Sequence, residues 1–208
     1  MGKLFDMNNK FFQFMAKMAD VIFLNLLWFI ASLPIFTIGA STTAVYYTAV
    51  KVIRNDTSHL GKEFWHALRD NFKLGTVLWG LSVLLMGVLI LDLVIVHSLL
   101  QNSFLKFVLL AALIVMLIMM LVLMQYCFSY LSRFQDSFKT VVRNSLYLML
   151  GNLKSSLLIL AVLIGSIILL LSSYGLLFIF LLPTAGVVVS SNVFEKLYKT
   201  YLNINTEQ

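Results

Sequence analysis

The sequence predicts an all-α fold: a polytopic membrane helix bundle that forms a single integral membrane domain over residues 1–208. Of the 208 residues, 61% are hydrophobic and only 12% are charged, whereas soluble domains carry roughly 25% charged residues. The apolar residues form long uncharged blocks, at 21–50, 74–91, 107–130 and 155–194. These blocks are apolar throughout instead of alternating with polar residues, which is typical of membrane-spanning helices.

The first block decides the topology. Its thirty residues would form a helix of about 45 Å, too long for one crossing of a ~30 Å hydrocarbon core. Pro34 lies near its middle, and proline favours a turn because it removes a backbone donor and restrains the preceding residue. A hairpin at Pro34 leaves Lys106 alone on the outer side, and all other Lys and Arg residues fall on the inner side. The positive-inside rule therefore predicts six spans with both termini cytoplasmic.

The six predicted spans are approximately 18–34, 37–53, 74–98, 104–131, 154–172 and 175–195. We expect the last turn at 172–175, and we expect Pro183 to kink the sixth helix unless the turn lies there instead. The N-terminus lacks a short apolar region followed by a small-residue cleavage site, so the first span is expected to remain in the mature protein. The sequence thus predicts a multi-pass protein of the cytoplasmic membrane.

The second predicted span is rich in small residues. Such residues at spacings of three and four let neighbouring helix backbones approach closely in lipid. This helix is expected to lie in the interior of the bundle or to form a partner interface. The candidate packing or interface residues are Gly39, Ala40, Thr43 and Ala44.

Two cytoplasmic segments read as amphipathic helices at the membrane surface. Residues 62–73 place Phe64, Trp65, Leu68 and Phe72 near one helical face, and residues 133–154 are the second candidate. Both segments end in Asn, an apolar residue and Lys before a long apolar run, which suggests a repeated unit. Such helices bring cations to anionic lipid or dock a cytoplasmic partner. The candidate docking residues are Arg69, Asn71, Lys73, Arg133, Asp136, Lys139 and Arg143.

Asp92 is the only acidic residue well inside a predicted span. Carboxylates inside a membrane are costly and suggest function, so Asp92, Ser41 and Thr42 are candidates for a solute path. The alternative for Asp92 is an interfacial role at the outer surface, or a contact with Lys106. The hydroxyl groups of the second span could equally bond to helix carbonyls.

Several classes of function lack sequence support. There is no phosphate-binding loop, no dinucleotide-type glycine pattern and no nucleophile elbow, and the three His residues lack metal-ligand spacing. Cys127 is the only cysteine, so an intramolecular disulfide is impossible. The net charge of +6 is explained by the cytoplasmic clusters and does not indicate nucleic acid. We therefore expect no catalytic activity, no cofactor and no metal site.

One string carries a resemblance to a known family. The residues Leu33-Pro34, followed by Thr37-Ile38-Gly39-Ala40-Ser41-Thr42-Thr43-Ala44-Val45-Tyr46-Tyr47, resemble the YesL-like family of Gram-positive membrane proteins. Further agreement comes from Asn71-Phe72-Lys73, from Arg133-Phe134 with Asp136-Ser137, and from Phe194-Glu195-Lys196-Leu197-Tyr198-Lys199. Members of this family tend to be encoded beside carbohydrate ABC importers and glycan-degrading enzymes. The resemblance therefore implies a role in carbohydrate uptake and implies no catalytic residues.

The functional expectation is an accessory membrane subunit that binds or regulates a carbohydrate ABC importer. Its partners would be the lipid bilayer and the membrane and ATPase subunits of that importer, and a homo-oligomer is also compatible. The alternative is a self-sufficient small-solute transporter or channel that uses Asp92 and the hydroxyl-rich second span. A membrane-embedded enzyme is a remote alternative.

Overall fold

The fold is known from a computed structural model, which describes residues 10–54, 59–100, 104–171 and 182–206. All regular elements in these ranges are helical. They are α1 (Lys10–Ala31), a 3₁₀ turn (Ile35–Thr37), α2 (Ile38–Thr48) continued by a π-helical segment (Ala49–Arg54), α3 (Leu60–Asp70), α4 (Phe72–Leu99), α5 (Phe104–Arg133), α6 (Phe138–Gly151), α7 (Leu153–Leu171) and α8 (Leu182–Thr206).

Two of these helices, α4 and α5, are long and apolar enough to cross a membrane. A third crossing arises if α6 and α7, which meet at a bend of 99°, are taken as one broken span. The middle of α4 and α5 is covered by exposed Leu, Val, Ile and Met side chains. Since such a surface is stable only in an apolar environment, the chain is a helical membrane protein.

The turn at Pro34 is present where the sequence predicts it. Helix α1 ends at Ala31, and the chain reverses through the 3₁₀ turn into α2. The hydroxyl of Thr37 donates to the carbonyl oxygens of Ala31 and Pro34, at 2.5 Å in each case. The Trp28 indole donates to Thr42 Oγ1 at 3.2 Å, which joins the two arms.

Helix α2 lies at the centre of the helix assembly. Its small residues are covered by other helices of the same chain, and Ala40, Thr43 and Ala44 have no exposed surface. A Cβ atom on Gly39 would overlap the carbonyl oxygen of Gly75 in α4. The two glycines therefore allow a backbone-to-backbone contact that no larger residue permits.

This contact corrects the expected depth of the second and third spans. Complete crossings over 37–53 and 74–98 in opposite directions would place Gly39 near the outer face and Gly75 near the inner face, roughly 25 Å apart. The structure instead brings the start of α2 beside the start of α4. At the other end of α2, Lys51 lies 2.8 Å from Glu63 of α3, so α2 runs antiparallel to α3.

Helix α3 is amphipathic, but its apolar face differs in part from the predicted one. Phe64 and Leu68 are buried as expected, whereas Trp65 and Phe72 are 43% and 42% exposed. At 100° per residue, Trp65 lies about 100° away from Phe64 around α3, and Ala67 takes its place in the core. Phe72 belongs to the first turn of α4 and not to α3. Because α3 packs lengthwise on α2, one face of α3 belongs to the core of the helix bundle, and the opposite face is exposed.

The two predicted junctions between a polar helix and an apolar helix share one geometry. Asn71 follows α3, and its side-chain nitrogen donates to the carbonyl of Ala67 at 3.0 Å. Asn152 follows α6, and its side-chain nitrogen donates to the carbonyl of Leu148 at 3.1 Å. Each side chain thus satisfies a helix-terminal carbonyl four residues back, which explains why Asn recurs there.

Helices α7 and α8 correspond to the fifth and sixth predicted spans with altered limits. Helix α7 (Leu153–Leu171) matches span 154–172 closely. The expected turn at 172–175 lies outside the described residues. Helix α8 is described from Leu182 onward, with Pro183 as its second described residue, so the kink expected at Pro183 stays a prediction.

Candidate functional site

The main polar site is a cleft of about 280 Å³, which we name the polar cleft. It lies between the π-helical end of α2, the last turns of α5 and the middle of α8. Its charged lining residues are Lys51, Arg133 and Glu195. Hydroxyl groups of Tyr47, Ser132 and Ser191 border the same space.

An ion pair between α5 and α8 forms one wall of the polar cleft. Arg133 Nη1 lies 2.6 Å from Glu195 Oε1. The Glu195 side chain is 9% exposed and the Arg133 side chain is 34% exposed. A carboxylate this buried needs a cationic partner, so Arg133 neutralises Glu195 and links α5 to α8 through two residues that are 62 positions apart in the sequence.

A second ion pair forms the opposite wall. Lys51 Nζ donates to Glu63 Oε2 at 2.8 Å and to the Tyr47 hydroxyl at 2.9 Å. Lys51 lies on the π-helical segment Ala49–Arg54, and such segments occur frequently at functional sites because they re-aim side chains. The polar cleft thus contains two cations, each held by a carboxylate.

The floor of the polar cleft is aromatic. Phe194 packs edge-to-face against Tyr46 and Tyr126, with ring centroids 5.7 and 4.9 Å apart. The Tyr198 hydroxyl donates to Ser129 Oγ at 3.1 Å. Burial raises the pKa of Tyr198 well above its ordinary value, so this phenol stays protonated and keeps that bond.

Of the seven predicted docking residues, three have partners within the chain, and the other four are exposed. Arg69, Lys73, Lys139 and Arg143 are exposed. Asn71 is buried and terminates α3. Arg133 pairs with Glu195, and Asp136 accepts a hydrogen bond from the Tyr130 hydroxyl at 2.7 Å.

The predicted solute-path residues do not come together. Ser41 is fully buried and donates to the carbonyl of Thr37 at 2.9 Å, and Thr42 donates to that of Ile38 at 2.7 Å. Asp92 lies seventeen residues beyond Gly75 along α4, which is roughly 25 Å at 1.5 Å per residue. Lys106 donates to the carbonyl of His97 at 2.9 Å, and Asp92 makes no ion pair with the described residues.

Within the described ranges, no group of three or more His, Cys, Asp or Glu side chains is placed to hold a metal ion. The carboxylates of the polar cleft are Glu195 and, through Lys51, Glu63, and each has a cationic partner. Their arrangement can bind a charged or polar group by exchange of one ion-pair partner. It offers no pair of free carboxylates for acid–base chemistry.

Three residues of this region are absent from the predicted site residues, namely Lys51, Glu195 and Tyr46, although Tyr46 and Glu195 lie in the strings that carry the family resemblance. Glu195 is the first charged residue after the uncharged block 155–194, which could have marked it as a site residue. Tyr46 donates to Gln125 Oε1 at 2.5 Å across 79 residues, and no local pattern predicts such a pairing.

Comparison with known proteins gives one match. Residues 21–93 match the model of a family described as "Protein of unknown function, DUF624". Neither curated proteins nor solved structures give a match. The matched segment contains the Pro34 turn, the Gly39–Gly75 contact and Lys51. YesL-like proteins form the DUF624 family, so the match over residues 21–93 supports the resemblance of this helical membrane protein to that family.

Proposed function

We propose that this protein is an accessory membrane subunit that binds or regulates a carbohydrate ABC importer and has no catalytic activity of its own. Two observations support the proposal. The family resemblance implies an association with such importers, and several basic side chains of α3, α4 and α6 are exposed. The proposal places the protein in the cytoplasmic membrane, in contact with the membrane and ATPase subunits of the importer.

The observation that carries the proposal is a set of exposed cations. Arg69 and Lys73 flank the junction of α3 with α4, and Lys139 and Arg143 lie on α6. All four are exposed, and none makes an ion pair with the described part of the chain. Exposed cations on helices beside a membrane attract acidic partner surfaces as well as anionic lipid.

The proposed partner interface does not include α2. Because Ala40, Thr43 and Ala44 are covered by the chain's own helices, they stabilise the subunit itself. The exposed basic residues of α3, α4 and α6 are therefore the proposed partner surface. The transporter alternative loses support because Asp92 is remote from Ser41 and Thr42.

Topology is part of the proposal. The distribution of Lys and Arg favours six crossings with both termini cytoplasmic, whereas the Gly39–Gly75 contact places the Pro34 turn near the start of α4. We propose that α4 and α5 cross the membrane completely, with Lys106 outside and Lys73 and Arg133 inside. The hairpin of α1 and α2 then packs beside the inner ends of these helices without reaching the outer face.

The decisive experiment is copurification from native membranes with identification of partners by mass spectrometry. We expect importer subunits to copurify with the unaltered protein. The double charge reversals Arg69→Glu/Lys73→Glu and Lys139→Glu/Arg143→Glu should each reduce recovery of the partner severalfold. Lys106→Glu, at the opposite end of α5, is the matched control and should leave recovery unchanged.

Two results would contradict the proposal. One is purification of the protein from native membranes without any importer subunit. The other is recovery that falls equally in Lys106→Glu and in the two double variants, because a general loss of charge would then explain the effect.

A further inference from the structure

A second internal space, the inner cavity, lies where α1, α2, α5, α7 and α8 meet. Its volume is about 190 Å³. A dry cavity of roughly 150 Å³ in another protein holds benzene, so this space is large enough for a small organic molecule. Trp28 borders it from α1, Thr42 from α2 and Val162 from α7.

The inner cavity is separated from the polar cleft by Tyr46. This side chain lines the polar cleft, and its hydroxyl bonds to Gln125 at 2.5 Å and to Ser190 at 3.2 Å, both of which line the inner cavity. The Tyr46 hydroxyl therefore closes the inner cavity toward the charged groups of the cleft. The described residues that line the cavity are all uncharged.

Gln125 offers a hydrogen-bond donor at the wall of the cavity. Its Oε1 accepts the Tyr46 hydroxyl proton, which turns the amide so that Nε2 is the free end. Within the described part of the chain, Gln125 Nε2 makes no hydrogen bond. Gln125 is half-buried and lines the cavity, so its Nε2 is accessible to water or to a ligand there.

A serine oxygen supplies an acceptor. Ser166 Oγ donates to the carbonyl of Val162 at 2.8 Å, so its proton is used within its own helix and its oxygen lone pairs remain for an incoming donor. Ser190 Oγ also lines the cavity, but it donates to the carbonyl of Gly186 at 2.8 Å and already lies 3.2 Å from the Tyr46 hydroxyl. The cavity therefore offers one amide donor and one serine acceptor on a largely apolar wall.

We infer that the inner cavity is a binding site for an uncharged small molecule that has an apolar body about the size of one aromatic ring and a hydroxyl group. The ligand hydroxyl accepts from Gln125 Nε2 and donates to a serine oxygen, while its apolar body packs on Trp28 and Val162. This inference is independent of the proposed importer partner.

The test uses the purified full chain in phosphatidylcholine nanodiscs and two fluorinated probes, 4-fluorophenol and 4-fluorotoluene, observed by fluorine NMR. Empty nanodiscs measure partition of each probe into lipid. We expect saturable line broadening of 4-fluorophenol and roughly fivefold weaker binding of 4-fluorotoluene, because the second probe lacks the hydroxyl. Equal binding of the two probes, or broadening no greater than in empty discs, would overturn the inference.

Three variants locate the binding. Val162→Phe fills the cavity and should abolish saturable binding, whereas Ile164→Phe, on the exposed face of the same helix, should leave it intact. Gln125→Leu should remove the preference for 4-fluorophenol and keep binding of 4-fluorotoluene. If Val162→Phe fails to fold, Ser166→Leu replaces it. Binding that survives every cavity-filling variant, or a phenol preference that survives Gln125→Leu, contradicts the assignment.

Discussion

Gly39 of α2 and Gly75 of α4 meet backbone to backbone, and each occupies the space that a side chain on the other would need. A Cβ on Gly75 would lie 2.8 Å from Cα and 2.9 Å from N of Ala40. These distances are shorter than any real contact of a Cβ atom with backbone. The pair therefore fixes how deep α2 lies along α4.

We predict that Gly75→Ala destabilises the protein by about 1–3 kcal/mol, because the added methyl group forces two backbones apart. Gly87→Ala on the same helix is the matched control, since a Cβ there meets nothing within 4 Å, and it should be neutral or slightly stabilising. The measurement is the free energy of unfolding by titration with sodium dodecyl sulfate in mixed micelles. Equal effects of the two substitutions would show that the helices do not touch at Gly75.

The Arg133–Glu195 pair gives a second prediction. Arg133→Met leaves the Glu195 carboxylate buried without a cation, and we expect a loss of about 2–3 kcal/mol in the free energy of unfolding. Asp70→Asn, which removes the exposed pair with His66, is the control and should cost about 0.5 kcal/mol or less.

The double variant Arg133→Met/Glu195→Met separates loss of the pair from loss of either residue alone. Because both charges are then absent, the double variant should be more stable than Arg133→Met. Additive effects of the two single substitutions would mean that Arg133 and Glu195 do not interact in the folded protein.

Tyr130 organises the connection between α5 and α6. Its hydroxyl donates to Asp136 at 2.7 Å and accepts from Asn144 Nδ2 at 2.8 Å. Tyr130→Phe leaves both partners without this bond and should lower the free energy of unfolding by about 1–2 kcal/mol. Tyr147→Phe, on the exposed side of α6, should change stability by less than about 0.5 kcal/mol. Indistinguishable unfolding of the two variants would contradict the role given to Tyr130.

Local features of the fold were predictable from the sequence because their causes are local. Pro34 predicts the turn, and the small residues beside it predict a buried α2. The Asn residues at 71 and 152 recur because each ends a polar helix, and the structure gives both the same hydrogen bond. The start of α7 follows from the start of an uncharged block.

The depth of α2 and the polar cleft were not predictable, because both depend on pairs far apart in the chain. Charge counting assigns each segment to a side of the membrane but contains no information on which helices touch. It therefore cannot predict the Gly39–Gly75 contact. Arg133 was noticed as a surface cation, but its partner Glu195 lies 62 residues away. Only the packing of α5 against α8 brings them together.

The last prediction concerns the side of the membrane on which the Pro34 turn lies. In a Cys127→Ser background, single cysteines at Leu33, Lys106 and Arg143 can be labelled in intact cells with a membrane-impermeant maleimide. We expect labelling at 106, because the proposed topology has α5 begin outside, and none at 143 until the membrane is permeabilised. We expect Leu33→Cys to stay unlabelled in intact cells as well, because the Gly39–Gly75 contact holds the turn near the inner ends of α4 and α5. Labelling at 33 from outside would instead support six complete crossings, and would require α2 to slide along α4 by roughly 25 Å from the position seen in the structure.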